Sequence, residues 1–159
     1  MIDIYNFAEL SNNERQIIAG IVSASSRPNI GHDHSLAQVE TDEILASNLA
    51  LVGFAQDSFA GYIRGKKTHT NTETSRIFRQ VGSLVVMPEF RKNGVGNRLV
   101  TDLTALVVSD EQIPYAFCGP NSKPTFMKAG YREALPGELP QDAISLLGNQ
   151  EMVWPVDLS

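Results

Sequence analysis

Cysteine is almost absent from this 159-residue chain: Cys118 stands alone. A single thiol closes no internal disulfide, and the expectation is a reducing, cytoplasmic setting. Long apolar runs are also missing. Nothing approaches the ~20 apolar residues of a membrane span. The opening Met1-Ile2-Asp3-Ile4-Tyr5 has neither the basic start nor the apolar stretch of a secretory signal. No Cys/His cluster has zinc spacing, so no metal is expected. No G-x-x-x-x-G-K-S/T string occurs, which excludes a Walker phosphate loop. Repeats, low-complexity tracts and linkers are absent too. What is present is an ordinary apolar fraction of 42%. That suffices for one core, and the expectation is a single domain over residues 1–159.

Charge is unevenly spread. Residues 1–63 hold eight acids and two bases, and residues 101–159 hold eight acids and three bases. Residues 64–100 reverse this with eight bases and two acids, within a net charge of −5. An acidic protein with one basic strip is poorly suited to coating nucleic acid and well suited to gripping one small polyanion. Arg64, Lys66, Lys67, Arg76 and Arg79 read as solvated hairpin charges. Arg91 and Lys92 coincide with a glycine loop and read differently.

Periodicity gives a coarse order of elements. Ser11-Asn12-Asn13-Glu14 is a capping box, followed by Ile17, Ile18, Ile21 and Val22 at helical spacing. Ser25–His34 reads as a polar loop, and a second helix covers part of Leu36–Ala46. Leu49–Ala55 and Phe59–Arg64, split by Gln56-Asp57-Ser58, read as a β-hairpin. Thr68–Ser75 reads as a polar turn. Arg76–Met87 reads as a long strand, in which Gly82 suggests a bulge or a close backbone approach. Val95, Leu99, Leu103, Leu106 and Val107 mark one helix face. Pro114–Cys118 and Glu151–Val156 read as strands, with a first strand near Ile2–Ala8. A short helix is expected within Pro136–Gly148. The order is α+β rather than an alternating parallel one.

The most informative run is Val81 to Val100. An apolar strand stops at Pro88, which has no N–H to donate. Arg91-Lys92-Asn93-Gly94-Val95-Gly96-Asn97 follows, and then a helix. Glycines let a ligand approach the backbone, and the helix start offers unpaired N–H groups and partial positive charge. This reads as an anion site suited to phosphate. The dinucleotide fingerprint G-x-G-x-x-G fails, because Leu99 stands where the third glycine belongs.

What remains is R-x-x-G-x-G after an apolar strand and Pro. It resembles the acyl-coenzyme A loop of the GNAT family of N-acyltransferases, where the pattern is R/Q-x-x-G-x-G/A. Downstream, Asn121-Ser122-Lys123-Pro124-Thr125-Phe126-Met127-Lys128-Ala129-Gly130-Tyr131 resembles that family's next helix and its K-x-G-F/Y turn. Asn121 or Ser122 would cap this helix, Pro124 fits its first turn and Gly130 its end.

The resemblance implies the GNAT fold: a mixed, mostly antiparallel six- to seven-stranded sheet with helices on both faces. It implies acetyl-coenzyme A as co-substrate. The loop amides of Lys92, Asn93, Gly94, Val95, Gly96 and Asn97 would hold the pyrophosphate, with Arg91 and Lys92 adding positive charge. The backbone of Leu84, Val85 and Val86 would pair with the pantetheine arm, and Asn121 and Phe126 would lie beside it. It implies transfer to a primary amine, carried by a small molecule or a peptide. Nucleic acid and membrane are not expected partners; a homodimer is an allowed state. Many members carry a Glu that relays the amine proton through water, and the matching position here is Gln80. Many carry a Tyr that protonates the departing thiolate, and the matching position is Phe126. Two readings follow: an N-acetyltransferase whose general base and acid are unassigned, or a GNAT-fold domain that binds or senses acyl-coenzyme A with little catalysis.

Other polar groups carry weaker signals. His69 and Glu73 read as an exposed turn, and His32-Asp33-His34 as an exposed loop. Tyr115 and Tyr131 read as core or rim aromatics, Trp154 as core, and Cys118 as a buried thiol. Glu40, Asp42 and Glu43 form the densest acidic cluster of the first half, which would favour a cationic acceptor.

Overall fold

Ser11 and Glu14 close a reciprocal cap: Glu14 N–H donates to Ser11 Oγ, and Ser11 N–H donates to Glu14 Oε1, both at 3.2 Å. These bonds satisfy amides that a helix start leaves open, and α1 (Asn12–Ser25) begins there. The computed structural model describes residues 1–25, 34–140 and 150–154. Around α1 the order is β1 (Ile2–Asn6), α2 (His34–Leu45), β2 (Ala50–Ala55), β3 (Ser58–Asn71) and β4 (Arg76–Val86). Then come α3 (Val95–Ser109), β5 (Ile113–Cys118), α4 (Lys123–Ala129), β6 (Arg132–Glu133) and β7 (Gln150–Val153). The strands form one seven-stranded sheet ordered β1-β2-β3-β4-β5-β7-β6. The β4–β5 pair is parallel, whereas β1–β2, β2–β3, β5–β7 and β6–β7 are antiparallel. The fold is α+β with a mixed, mostly antiparallel sheet. The chain divides into two compact units, Met1–Arg64 with Ser83–Leu99, and Gly65–Gly82 with Val100–Ser159.

In the first unit, β2 and β3 meet through a tight turn in which Gln56 (φ 52°) and Asp57 (φ 63°) are both left-handed. Such a turn matches the right-handed twist of the strands it joins. Side chains then sort by alternation. Val52 and Tyr62, paired across the ladder, enter a core with Phe7, Ile18, Val22 and Ile44 from α1, α2 and the turn after β1. The next pair, Gly53 and Gly61, faces the other way, toward Val95 and Leu99 of α3. A Cβ on Gly61 would lie 2.8 Å from the Val85 carbonyl oxygen and 2.9 Å from Leu99 Cδ1. Helices therefore cover both faces of these strands.

In the second unit, the parallel register runs from Phe78 opposite Ile113 to Gln80 opposite Tyr115. β7 lies antiparallel to β5, with Val153 opposite Tyr115. Phe78, Tyr115, Leu139 and Val153 form the buried centre. α4 ends at Gly130, whose φ of 114° only glycine adopts freely. There Gly130 N–H donates to Met127 O and Tyr131 N–H to Phe126 O, both at 3.0 Å, as in a Schellman stop.

Several expectations are corrected. The polar turn is shorter than Thr68–Ser75, because Thr68–Asn71 belong to β3. A strand needs alternation rather than apolarity, and β-branched threonines suit it. The turn is tightened by Asn71 Oδ1, which accepts from Glu73 N–H at 3.0 Å and Thr74 N–H at 3.3 Å. His69 accordingly lies in β3, half-buried, with its ring 5.9 Å from that of Tyr115. Leu106 is exposed although it was expected on the buried helix face. Ser122 caps nothing: its backbone is already helical, and its hydroxyl donates back to Gly119 O at 3.4 Å. Where a bulge or a close backbone approach was expected at Gly82, the neighbouring Ser83 is left-handed, φ 54°. Pro136–Pro140 form no helix, and the rest of Pro136–Gly148 lies outside the described residues apart from that stretch. Residues 155–156 of the expected last strand, and His32 and Asp33, also lie outside them.

Arg64 departs furthest from its expected solvated state. It is 6% exposed, with Nη2 3.3 Å from Glu43 Oε2 and Nε donating to Ser83 Oγ at 3.3 Å. A buried guanidinium requires such partners.

Candidate functional site

The glycine loop is built in the first unit. β4 runs to Val86, and Pro88–Phe90 then form one turn of 3₁₀ helix. Phe90 N–H donates to Met87 O at 2.9 Å and Arg91 N–H to Pro88 O at 3.3 Å. The next backbone bond of this kind is Arg98 N–H to Gly94 O at 3.0 Å. Residues 91–94 are turn, and the amides of Lys92 to Asn97 lie between the Arg91 and Arg98 bonds, ahead of the ladder of α3. Lys92 (φ 68°) and Gly94 (φ 81°) are left-handed, a conformation that recurs in the backbone nests that hold anions. Nothing lies within 4 Å of where a Cβ on Gly94 would stand. This loop runs directly into the 15-residue α3, with open space beside Gly94. The residues fit a phosphate-bearing ligand, which would add charge-assisted acceptors to those donors.

The strand end has a defined orientation. Met87 N–H donates to Ala60 O at 2.8 Å, and the Val85 carbonyl faces Gly61. In an extended strand the neighbours Leu84 and Val86 then turn their N–H and C=O groups to the other side. Arg91 Nε donates to Val86 O at 3.2 Å, so the guanidinium folds back on the strand end. Arg91 and Lys92 are both exposed. Leu84, Val85, Val86, Arg91, Lys92, Asn93, Gly94, Val95, Gly96 and Asn97 thus share one unit and one continuous stretch.

Gln80, Asn121 and Phe126 lie in the second unit. Gln80 is half-buried in β4 opposite Tyr115. Asn121 is exposed before α4. Phe126 is 2% exposed, and its ring meets Tyr131 edge-on at 5.1 Å. Burial pushes the Tyr131 phenol far above its ordinary pKa, while a hydrogen bond with Thr104 pulls the other way. Burial likewise raises the Cys118 thiol to about 11, against the lowering effects of Ser122 and Lys123. At neutral pH this thiol stays protonated and is a poor nucleophile.

The acidic cluster is largely spoken for. Glu43 pairs with Arg64, and Asp42 Oδ1 accepts from Gln38 Nε2 at 2.9 Å. Sequence reading missed the Arg64 pair, because the residues it joins are 19 and 21 positions apart. Among the described residues, no group of three or more His, Cys, Asp or Glu side chains could hold a metal ion. No helix among them is long and apolar enough to cross a membrane.

A strand ending in a glycine loop and a helix start, on this sheet order, defines a class of protein. The chain belongs to the acetyltransferase (GNAT) family, whose sequence model matches residues 21–131. Solved structures share the fold. An acetyltransferase of the GNAT family from Staphylococcus aureus Mu50 is 15% identical, with 97% of this chain and 98% of that chain covered and a TM-score of 0.71. A predicted acetyltransferase from Clostridium acetobutylicum, crystallised with acetyl-CoA, is 10% identical over 84% of this chain and 92% of that one, TM-score 0.64. AAC(6′)-Iy, in complex with the bisubstrate analogue CoA-S-monomethyl-acetylneamine, is 16% identical over 85% and 93%, TM-score 0.64. At these identities the likeness is one of fold. No curated protein sequence matches.

Proposed function

We propose that this chain is an acetyl-coenzyme A-dependent N-acetyltransferase acting on a primary amine, with both units forming one catalytic domain. The observation that carries this reading is the run of amides from Lys92 to Asn97, shaped by left-handed Lys92 and Gly94. These amides would hold the pyrophosphate, aided by the dipole of α3 and the charge of Lys92. The Leu84 C=O and Val86 N–H, both turned from β3, would pair with the pantetheine arm and the thioester oxygen as an added strand would. Bound there, acetyl-coenzyme A supplies an activated acetyl group. Transfer forms a C–N bond, breaks the C–S bond, releases one proton from the amine and returns one to the thiolate. Placing the two reactants together accounts for most of the acceleration.

Gln80 has no basic form and Phe126 has no proton to give, so solvent carries both protons. That same pair favours the second reading, an acyl-coenzyme A-binding domain with little turnover. Pairing of Glu43 with Arg64 lowers the unbalanced charge of the acidic cluster, so acceptor choice rests less on long-range attraction than the sequence implied.

The test is thermal unfolding with acetyl-coenzyme A, followed by turnover on a panel of cationic, neutral and anionic amines. A hundredfold excess over Kd should stabilise the fold by about 2.7 kcal/mol. Gly94→Val should abolish the shift by filling the open space beside the loop and straining its backbone. Absence of any shift at millimolar ligand would end the proposal. Binding without turnover on any amine would select the second reading.

A further inference from the structure

The buried Arg64 has no place in the chemistry just described, yet it sits at a strained point of the strand that chemistry needs. Ser83 lies inside β4 with φ 54°, a conformation that L-residues adopt rarely and that persists only when the surroundings hold it. The Arg64 guanidinium, 6% exposed, donates to Ser83 Oγ through Nε at 3.3 Å. Its Nη2 reaches Glu43 Oε2 on α2 at 3.3 Å. Immediately after Ser83 come Leu84, Val85 and Val86. At their far end Met87 N–H is fixed to Ala60 O at 2.8 Å, and the Val85 carbonyl abuts Gly61. The segment is therefore held at both ends from β3: at Met87 by the Ala60 backbone, and at Ser83 by the Arg64 side chain.

We propose that Arg64, braced by Glu43, is a positioning residue: it holds the left-handed kink at Ser83 and so fixes the direction in which the Leu84 C=O and the Val86 N–H face the acyl arm. This rests on the acyl-coenzyme A reading above. The pyrophosphate half of the ligand lies on amides that begin at Lys92, beyond the Met87–Ala60 anchor. Arg64 should consequently govern the arm and leave the nucleotide end alone. A planar, permanently charged fork suits this task, because one group can hold Ser83 and Glu43 together.

The experiment compares two ligands on the whole protein by calorimetry: acetyl-coenzyme A, and 3′-phospho-ADP, which lacks the arm. Wild type is set beside Arg64→Met, Ser83→Ala and Glu43→Gln. Expected is a loss of about tenfold in acetyl-coenzyme A affinity for Arg64→Met and Ser83→Ala, the scale of one or two hydrogen bonds. Affinity for 3′-phospho-ADP should stay at the wild-type value. Glu43→Gln should give a smaller loss in the same direction. In the Arg64→Met background, Ser83→Gly should recover most of the loss, since glycine takes the kink without a clamp. Should Arg64→Met not fold, Ser83→Ala carries the comparison, as it removes only a half-buried hydroxyl. Equal weakening of both ligands, or of neither, would overturn the positioning role. Wild type that binds neither ligand would instead remove the acyl-coenzyme A reading itself.

Discussion

The hydroxyls of Thr104 and Tyr131 lie 2.7 Å apart, each on a side chain only 3% exposed, and join α3 to the turn that ends α4. Tyr131 also meets Phe126 and Trp154 edge-on, at 5.1 Å and 5.5 Å between ring centroids. Tyr131→Phe keeps these rings in contact and strands the Thr104 hydroxyl. It should cost about 1–3 kcal/mol in urea unfolding. Thr104→Val with Tyr131→Phe should cost less than the two single changes added, because no polar group is then left unpaired.

Alkaline pH should weaken the fold in stages. Burial holds the Cys118 thiol up to about 11 from 9.0 and the Tyr62 phenol up to about 12 from 10.0. Above each ordinary value the unfolded chain sheds a proton that the folded chain keeps. Unfolding is thereby favoured as pH rises, first between 9.0 and about 11 through Cys118, then beyond 10.0 through Tyr62. The melting temperature should fall across this range, and Cys118→Ala should flatten the first part of the fall. The native thiol should also resist a maleimide at neutral pH; rapid labelling would show that it is neither buried nor protonated.

The turn at Gln56-Asp57 has the right shape but costly residues. Both adopt positive φ, where Asn-Gly sits with less strain. Gln56→Asn combined with Asp57→Gly should raise stability by about 0.5–1 kcal/mol. Chemical denaturation measures this, with an unchanged m-value as the sign that only the turn was altered.

Lys92 joins strain to charge in one side chain. At φ 68° it adopts the left-handed region that glycine tolerates best. Lys92→Gly should raise the melting temperature of the free protein, by up to about 1 kcal/mol of stability. The same change should weaken acetyl-coenzyme A binding at low salt and reduce the salt dependence of Kd, since one screened attraction is gone. A variant with wild-type salt dependence would show that Lys92 does not face the phosphates.

Much of the fold was legible because its signals are local. The Ser11–Glu14 cap, the Pro88 stop, the glycine loop and the Gly130 helix end each lie within a few residues, and each was found. The loop of the candidate site is of this kind. What escaped the sequence depends on distant partners. Arg64 looks like any hairpin charge until Glu43 and Ser83 are brought beside it. His69 reads as turn until β3 is seen to run through Asn71. The hydroxyl of Ser122 resembles a cap until its backbone proves already helical. Charge counting failed at the acidic cluster for the same reason: it sums Glu43 as unbalanced when its counter-charge lies on another element.

Gly61 bears on how this protein can change. A Cβ there would strike the Val85 carbonyl, Leu99 and Val95 within 3.1 Å, whereas nothing lies within 4 Å of one placed on Gly20. Backbone cannot withdraw as a flexible side chain does, so even alanine would push β4 off β3 just where the strand turns its groups outward. A saturation library should keep only glycine at position 61 and accept many small residues at position 20. The diversity open to engineers, or to drift, would then be confined to helix surfaces and turns, with the β3–β4 contact as the part that must be inherited whole.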